Sequence, residues 1–162
     1  MREEIGFYLE LVKVSFRGCD HMHEMPLTAG DQRGNLLLKD ANGRPVCYVG
    51  QTECPTLAEI DEFVRDLGGY RGVSEGTVAQ RFQGVLQYVL DKVNDGGLRL
   101  RQVFRCPDCG AESSHVERLV PPVFKTVVLP PADWQKWDAL DASERRDLVA
   151  KALAAVMDGF EA

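Results

Sequence analysis

Residues 5–16 alternate apolar and polar side chains in two phases. Ile5, Phe7, Leu9 and Leu11 share one face of an extended chain, and Val12, Val14 and Phe16 fall on the other. Strand side chains have a period of two. The pattern therefore predicts one of two things: a β-bulge near Leu11-Val12 that returns all these residues to a single core, or a long strand buried on both faces. Short apolar runs at 35–39 and 46–50 flank Asp40-Ala41-Asn42-Gly43. Asn-Gly between two such runs predicts a hairpin, because both residues tolerate positive φ.

The period then changes to that of a helix. Leu57, Ile60, Val64 and Leu67 form a stripe over 57–67. Thr56 with Glu59 predicts a capping box, and Gly68-Gly69 a stop. Over 75–93 the stripe is Val78, Phe82, Val85, Leu86, Val89, Leu90 and Val93, with Gln80, Gln83, Gln87 and Asp91 opposite. Ser74 is its expected cap, and Gly96-Gly97 its expected end. Gly84 inside this helix costs roughly 1 kcal/mol against Ala, which predicts close approach of another backbone.

Residues 98–106 return to alternation, with Leu98, Leu100 and Phe104 against Arg99, Arg101 and Arg105. Two more strands are expected at 115–120 and 123–129, and Pro121-Pro122 between them disfavours a tight hairpin. Trp134 and Trp137 lie on a short helical turn after Pro130-Pro131. Asp141 and Glu144 predict a capping box opening a helix over 142–157, with Leu148, Val149, Ala152, Leu153, Val156 and Met157 on its stripe. The expected architecture is α+β, one domain over 1–162: an antiparallel sheet with packed helices, a helical insertion at about 55–97, and a C-terminal helix.

Composition narrows the setting. The chain has 162 residues, 44% hydrophobic and 27% charged, with a formal net charge of -6. That is ordinary globular composition and not that of a disordered chain. No apolar run approaches the ~18 residues of a membrane helix, and Met1-Arg2-Glu3-Glu4 lacks the start of a signal peptide. A cytoplasmic location is the expectation. There, the five cysteines point to metal ligands or free thiols more than to disulfides. Divided into 1–54, 55–97, 98–130 and 131–162, the chain carries a net positive charge only in 98–130, at +2. With a pI of about 5.1, nucleic-acid binding by the whole surface is disfavoured.

One motif carries specific chemistry: Cys106-Pro107-Asp108-Cys109-Gly110. Two thiolates at this spacing can hold one Zn²⁺, and glycine lets the chain turn under the metal. A strand leads in and a polar turn leads out. In these residues the sequence resembles one knuckle of the zinc-ribbon superfamily. The resemblance covers about a dozen positions and implies Zn²⁺ as cofactor. A redox dithiol is less favoured, because a thioredoxin-like pair opens a helix in a βαβ setting. The residues after Cys109 lead toward another strand instead.

A closed structural site needs four ligands. Cys19 with His23 is the expected second pair, at a spacing within the zinc range and just after a strand. Cys19 with His21, and a pair from Cys47 and Cys54, are the alternatives. His115 could replace one histidine, and Cys47 reads better as a small buried hydrophobe. A site built from 19–23 and 106–110 would tie the first strand to the fourth across the insertion.

Three functional classes remain. The expected one is a non-enzymatic, zinc-stabilised protein-binding module of the inhibitor, immunity or adaptor kind. The second is a zinc-ribbon protein that binds nucleic acid weakly through Arg99, Arg101 and Arg105, with Arg118 and Lys125 on neighbouring strands. The third is a zinc enzyme with a dispersed site. Neither the deaminase nor the His-Glu-x-x-His signature is present, and no phosphate loop, dinucleotide fingerprint or nucleophile elbow is found. The arginine face and the Trp134/Trp137 pair are the candidate partner contacts, against the plainer readings of solvated surface and core packing. The sequence leaves the oligomeric state open.

Overall fold

The fold is α+β in a computed structural model that describes residues 3–28, 34–50, 54–94 and 97–159. Among the described residues the elements are, in order, β1 Ile5–Phe16, β2 Met22–Pro26, β3 Asn35–Lys39, β4 Pro45–Gly50, α1 Pro55–Asp66, α2 Glu75–Val93, β5 Ser113–Arg118, β6 Phe124–Leu129, α3 Gln135–Asp138 and α4 Ala142–Met157. The chain divides into two compact units. Unit 1 takes Met1–Gly50 and Leu98–Ala132, and unit 2 takes Gln51–Gly97 and Asp133–Ala162. The segment expected as an insertion thus shares its unit with the C-terminal helix.

In unit 1, β1 is the spine. Its first half pairs antiparallel with β6, from Ile5↔Leu129 to Glu10↔Phe124. Its second half pairs with β2 on one edge and with β5 on the other, both antiparallel. This pairing explains the two-phase pattern. Phe7 and Leu9 pack with Leu37 and Leu129, whereas Val12, Val14 and Phe16 pack with Met25, Phe104 and Cys106. One strand feeds two cores from opposite faces, and its ladder shifts only at Ser15/Phe16. Of the two arrangements the pattern allowed, the long strand buried on both faces is the one formed, and no bulge falls at Leu11-Val12. Strands β5 and β6 are not a hairpin either. They run end to end along β1, separated by residues 119–123 with the cis Val120-Pro121 bond, and the Leu11 N–H reaches the Val123 carbonyl at 2.8 Å.

The hairpin β3–β4 forms at its expected place. Asp40 organises the turn by accepting from the N–H groups of Asn42, at 2.9 Å, and Arg44, at 3.0 Å. Gly43 sits at φ +88°, and a Cβ there would stand 2.7 Å from the Val103 carbonyl oxygen. Both facts require glycine.

Residues 98–106, expected as a strand, form only isolated bridges, Lys39↔Arg99 and Arg105↔Glu112. Side chains tie the segment down instead of a ladder. The Gln102 amide donates to the carbonyls of Pro26 and Gly43, each at 2.8 Å, and its oxygen accepts from the Thr28 N–H at 3.0 Å. Apolar alternation alone cannot report this, because it records burial and not where backbone groups find partners.

In unit 2, α2 spans the expected residues, and Ser74 caps it by accepting from the Thr77 N–H. The expected stop at Gly96 lies outside the described residues, and the helix ends at Val93 with Asn94 as its cap. Gln87, expected on the polar face, is buried and donates to Asp91. The neighbour that Gly84 admits is the Val156 side chain of α4, not a backbone. Helix α1 starts earlier than expected, with Cys54 as N-cap and Pro55 in its first turn. Thr56 is buried inside it, and Glu59 does not close a capping box. Glu59 instead accepts from the Trp137 indole N–H at 3.1 Å and from the Arg145 guanidinium at 3.2 Å. The Asp141/Glu144 capping box of α4 is complete.

Candidate metal centre

The first half of the site comes from the turn after β1, whose strand ends at Phe16 and leaves Cys19 and His21 ahead of β2. The second half is the 106–110 turn. The Cys106 N–H donates to the Ala111 carbonyl and the Gly110 N–H to the Cys106 carbonyl, both at 2.8 Å, with Gly110 at φ +75°. Phe104 and Cys106 pack on Val12, Val14 and Phe16, which brings the two halves together.

The donor atoms of Cys19, His21, Cys106 and Cys109 all lie within 4.8 Å of one another. These residues could hold a metal ion. His21 Nδ1 stands 3.4 Å from Cys106 Sγ. Cys106 is buried, Cys19 half-buried and Cys109 exposed, so the site opens to solvent on the Cys109 side. Burial pushes the Cys106 thiol up, but the N–H groups of Asp108 and Cys109, the Cys109 thiol and His21 pull it down to about 6. At Cys19 the His21 N–H favours the thiolate, yet burial and the neighbouring Cys109 and Cys106 thiols leave the group raised. Crowded thiols with one favoured thiolate are what a cation would resolve, since metal binding deprotonates its cysteine ligands.

The histidine in this foursome is His21, where the sequence pointed first to His23. The two rings lie 6.4 Å apart between centroids. Both rings reach the knuckle, His21 at the Cys106 sulfur and His23 at the Asp108 carboxylate. His23 belongs to β2, pairs with Val14, and sets its ring edge-on to Phe16. Its Nε2 meets Asp108 Oδ2 at 2.9 Å. His23, Cys106 and Asp108 form a second donor group, also within 4.8 Å. Asp108 was not singled out in the sequence, although its place between the two knuckle cysteines was the available signal. Strand β2 was also missed, because Met22-His23-Glu24-Met25-Pro26 shows no clean alternation and becomes a strand through pairing with β1.

The other candidates lie elsewhere. Cys47 is buried opposite Leu38 on β4, and burial raises its thiol to about 11. Cys54 caps α1, and His115 is exposed on β5 opposite Ser15. None of these three joins a donor group among the described residues.

The arginine face is not one strand surface. Arg99 and Arg101 are exposed on an irregular segment, and Arg105 meets Glu112 at 3.4 Å. Arg118 makes two 3.0 Å bonds to Glu10, and Lys125 is exposed opposite Leu9 on β6. Two of the expected phosphate contacts already serve carboxylates. Trp134 and Trp137 are both buried, so neither presents surface to a partner.

An exposed apolar surface appears where the sequence did not mark one. On the outer face of β1 and β6, Tyr8 stacks on Phe124 with centroids 4.9 Å apart. Tyr8 is 67% exposed, and Phe124 and Val128, on the same face, are exposed to 44% and 58%. Val120, in the adjoining loop, is 94% exposed. Among the described residues, no helix is long and apolar enough to cross a membrane. No family model, curated protein or solved structure matches this chain.

Proposed function

We propose that the protein is a non-enzymatic protein-binding module of the inhibitor, immunity or adaptor kind, acting in the cytoplasm, with one structural Zn²⁺ bracing unit 1. The observation that carries this reading is the exposed Tyr8–Phe124 stack with Val128 on one sheet face. An exposed aromatic pair with an apolar neighbour on the same sheet face is the kind of surface that partners bind, and aromatic residues are enriched in interfaces. The partner is a protein that offers an apolar surface of its own.

The donor set supports the zinc assignment. Three sulfurs and one imidazole suit Zn²⁺, and four protein ligands leave no position for the water that a catalytic zinc carries. The knuckle at 106–110 is the part of the site similar to a zinc ribbon. A reducing cytoplasm would keep these thiols available to the metal.

The test is retention of a partner from native lysate on immobilised protein, with metal content measured on the same sample. About one zinc per chain is expected. The wild type should retain a protein that the double variant Tyr8→Ser, Phe124→Ser loses while keeping its metal. Identical retention by both proteins would remove this surface from the function, and a chain purified without chelator that holds no metal would remove the zinc.

A further inference from the structure

The metal centre has more donors than a tetrahedral ion can use. Beside Cys19, His21, Cys106 and Cys109 stands the second group, His23, Cys106 and Asp108, and the two share the buried Cys106. Asp108 Oδ2 lies 2.9 Å from His23 Nε2 and 3.9 Å from His21 Nδ1. It therefore sits between the ring that belongs to the foursome and the ring that does not. Asp108 is 54% exposed and His21 49%, whereas Cys106 is 1% exposed. The carboxylate is at the solvent side of the group and the shared, buried Cys106 sulfur at its floor.

We propose that His23, Asp108 and Cys106 form a loading site through which a zinc-class divalent cation reaches and leaves the four-ligand centre. The proposal rests on the reading of Cys19, His21, Cys106 and Cys109 as that centre. An arriving aquo ion meets the exposed carboxylate first, as a hard cation-attracting oxygen, and then the His23 imidazole. Cys106 already belongs to both sets, so the ion keeps that bond while it exchanges Asp108 and His23 for Cys19, His21 and Cys109. The thiol protons of Cys106 and then of Cys19 and Cys109 would pass to solvent as each Zn–S bond formed, and the waters of the ion would leave with them. Zinc accepts a fifth ligand in passing, so old and new donors can overlap during the exchange. Release follows the same steps in reverse.

This role differs in kinetics from that of a supporting outer residue. A loading site speeds uptake and release alike and leaves the affinity unchanged. An outer residue that orients a ligand tightens binding, so its loss weakens affinity and hastens release.

The experiment uses the full chain and the variants Asp108→Asn and His23→Gln. Zn²⁺ uptake and release are followed by stopped flow against a chromophoric chelator, with release extrapolated to zero chelator. Co²⁺ absorption reports the final ligand set, and circular dichroism the fold. Each variant should slow uptake and release by the same factor, so that affinity and Co²⁺ spectrum stay unchanged. Unchanged rates in a metal-loaded protein overturn the loading site alone. Faster release with weaker affinity overturns it in favour of an orienting role. A changed Co²⁺ spectrum in His23→Gln overturns it by making His23 a resident ligand. If one variant fails to fold, the other decides the question. A wild type that takes up neither Zn²⁺ nor Co²⁺ overturns the metal centre itself, and the loading site with it.

Discussion

Lys39 shows how burial alone changes a side chain. It lies buried on β3, and its ammonium donates to the Leu100 carbonyl, helping to hold the 98–106 segment that leads to Cys106. Desolvation pulls its pKa from 10.5 down to about 8. The unfolded chain therefore binds more protons than the folded one between those values. Stability from this residue rises as pH climbs through about 8 toward 10.5, and its penalty is fully present below. Cys47 acts in the opposite sense, because burial raises its thiol from 9.0 to about 11, so stability falls as pH rises between those values. The test is thus a comparison of urea unfolding for wild type and Lys39→Met at pH 7.5, 9 and 10.5. The wild type should gain on the variant across that range. A constant difference would show that Lys39 does not titrate between these states.

At the scale of elements, Gly84 is the position where local preference and packing disagree. Alanine would improve the intrinsic propensity of α2 by about 1 kcal/mol. Its Cβ would meet Val156 Cγ2 at 2.8 Å and Cγ1 at 3.2 Å. Overpacking costs typically about 1–3 kcal/mol, so Gly84→Ala should destabilise, and Val156→Ala in the same chain should recover part of the loss. Denaturant midpoints of the two single variants and the double variant check this. A stabilised Gly84→Ala would mean that α4 yields freely. The same comparison explains which helices were legible. The 3.6 period placed α2 and α4, with the Ser74 cap and the Asp141/Glu144 box, because those signals act within a few residues. Thr56/Glu59 has the same spacing and failed. Pro55 favours the first helical turn, and Glu59 found stronger partners in Trp137 and Arg145, which lie far along the chain.

For the whole molecule, the metal would join two chain segments of unit 1, at 19–21 and 106–109, with residues 51–97 assigned to unit 2 between them. Structural zinc contributes its binding free energy to folding. Removing it with a strong chelator should lower the melting temperature and raise amide exchange in β1, β2 and residues 104–112. Exchange in α2 and α4 should change least, because their buried residues include no member of the donor groups. Hydrogen-exchange mass spectrometry with and without chelator checks the pattern. Uniform deprotection would mean that the metal stabilises the chain as one cooperative body. Cys106→Ser should reproduce the chelator's effect, and Cys47→Ala should not.

By itself the sequence determined what depends on neighbours in the chain. It placed the 75–93 and 142–157 helices, the hairpin around Asp40–Gly43 and the α+β class, and it marked Cys106, Cys109 and Cys19 as candidate donors, which the fold brings together. Periodicity, capping and thiolate spacing are local, so they survive without a tertiary frame. Tertiary structure decided what local signals leave degenerate. By spacing both His21 and His23 can partner Cys19, and only the position of the knuckle packed on Phe16 and Val14 puts His21 in the foursome and His23 beside Asp108. The two phases of β1 fit a bulge as well as two cores until β6, β2 and β5 take their places along it. The 98–106 segment alternates like a strand, yet its backbone and the Gln102 side chain find partners in turns. Tyr8 and Phe124 carry the apolar character of core residues. They reach the surface because β1 places each face inward over only half its length, a property of the pairing and not of either residue.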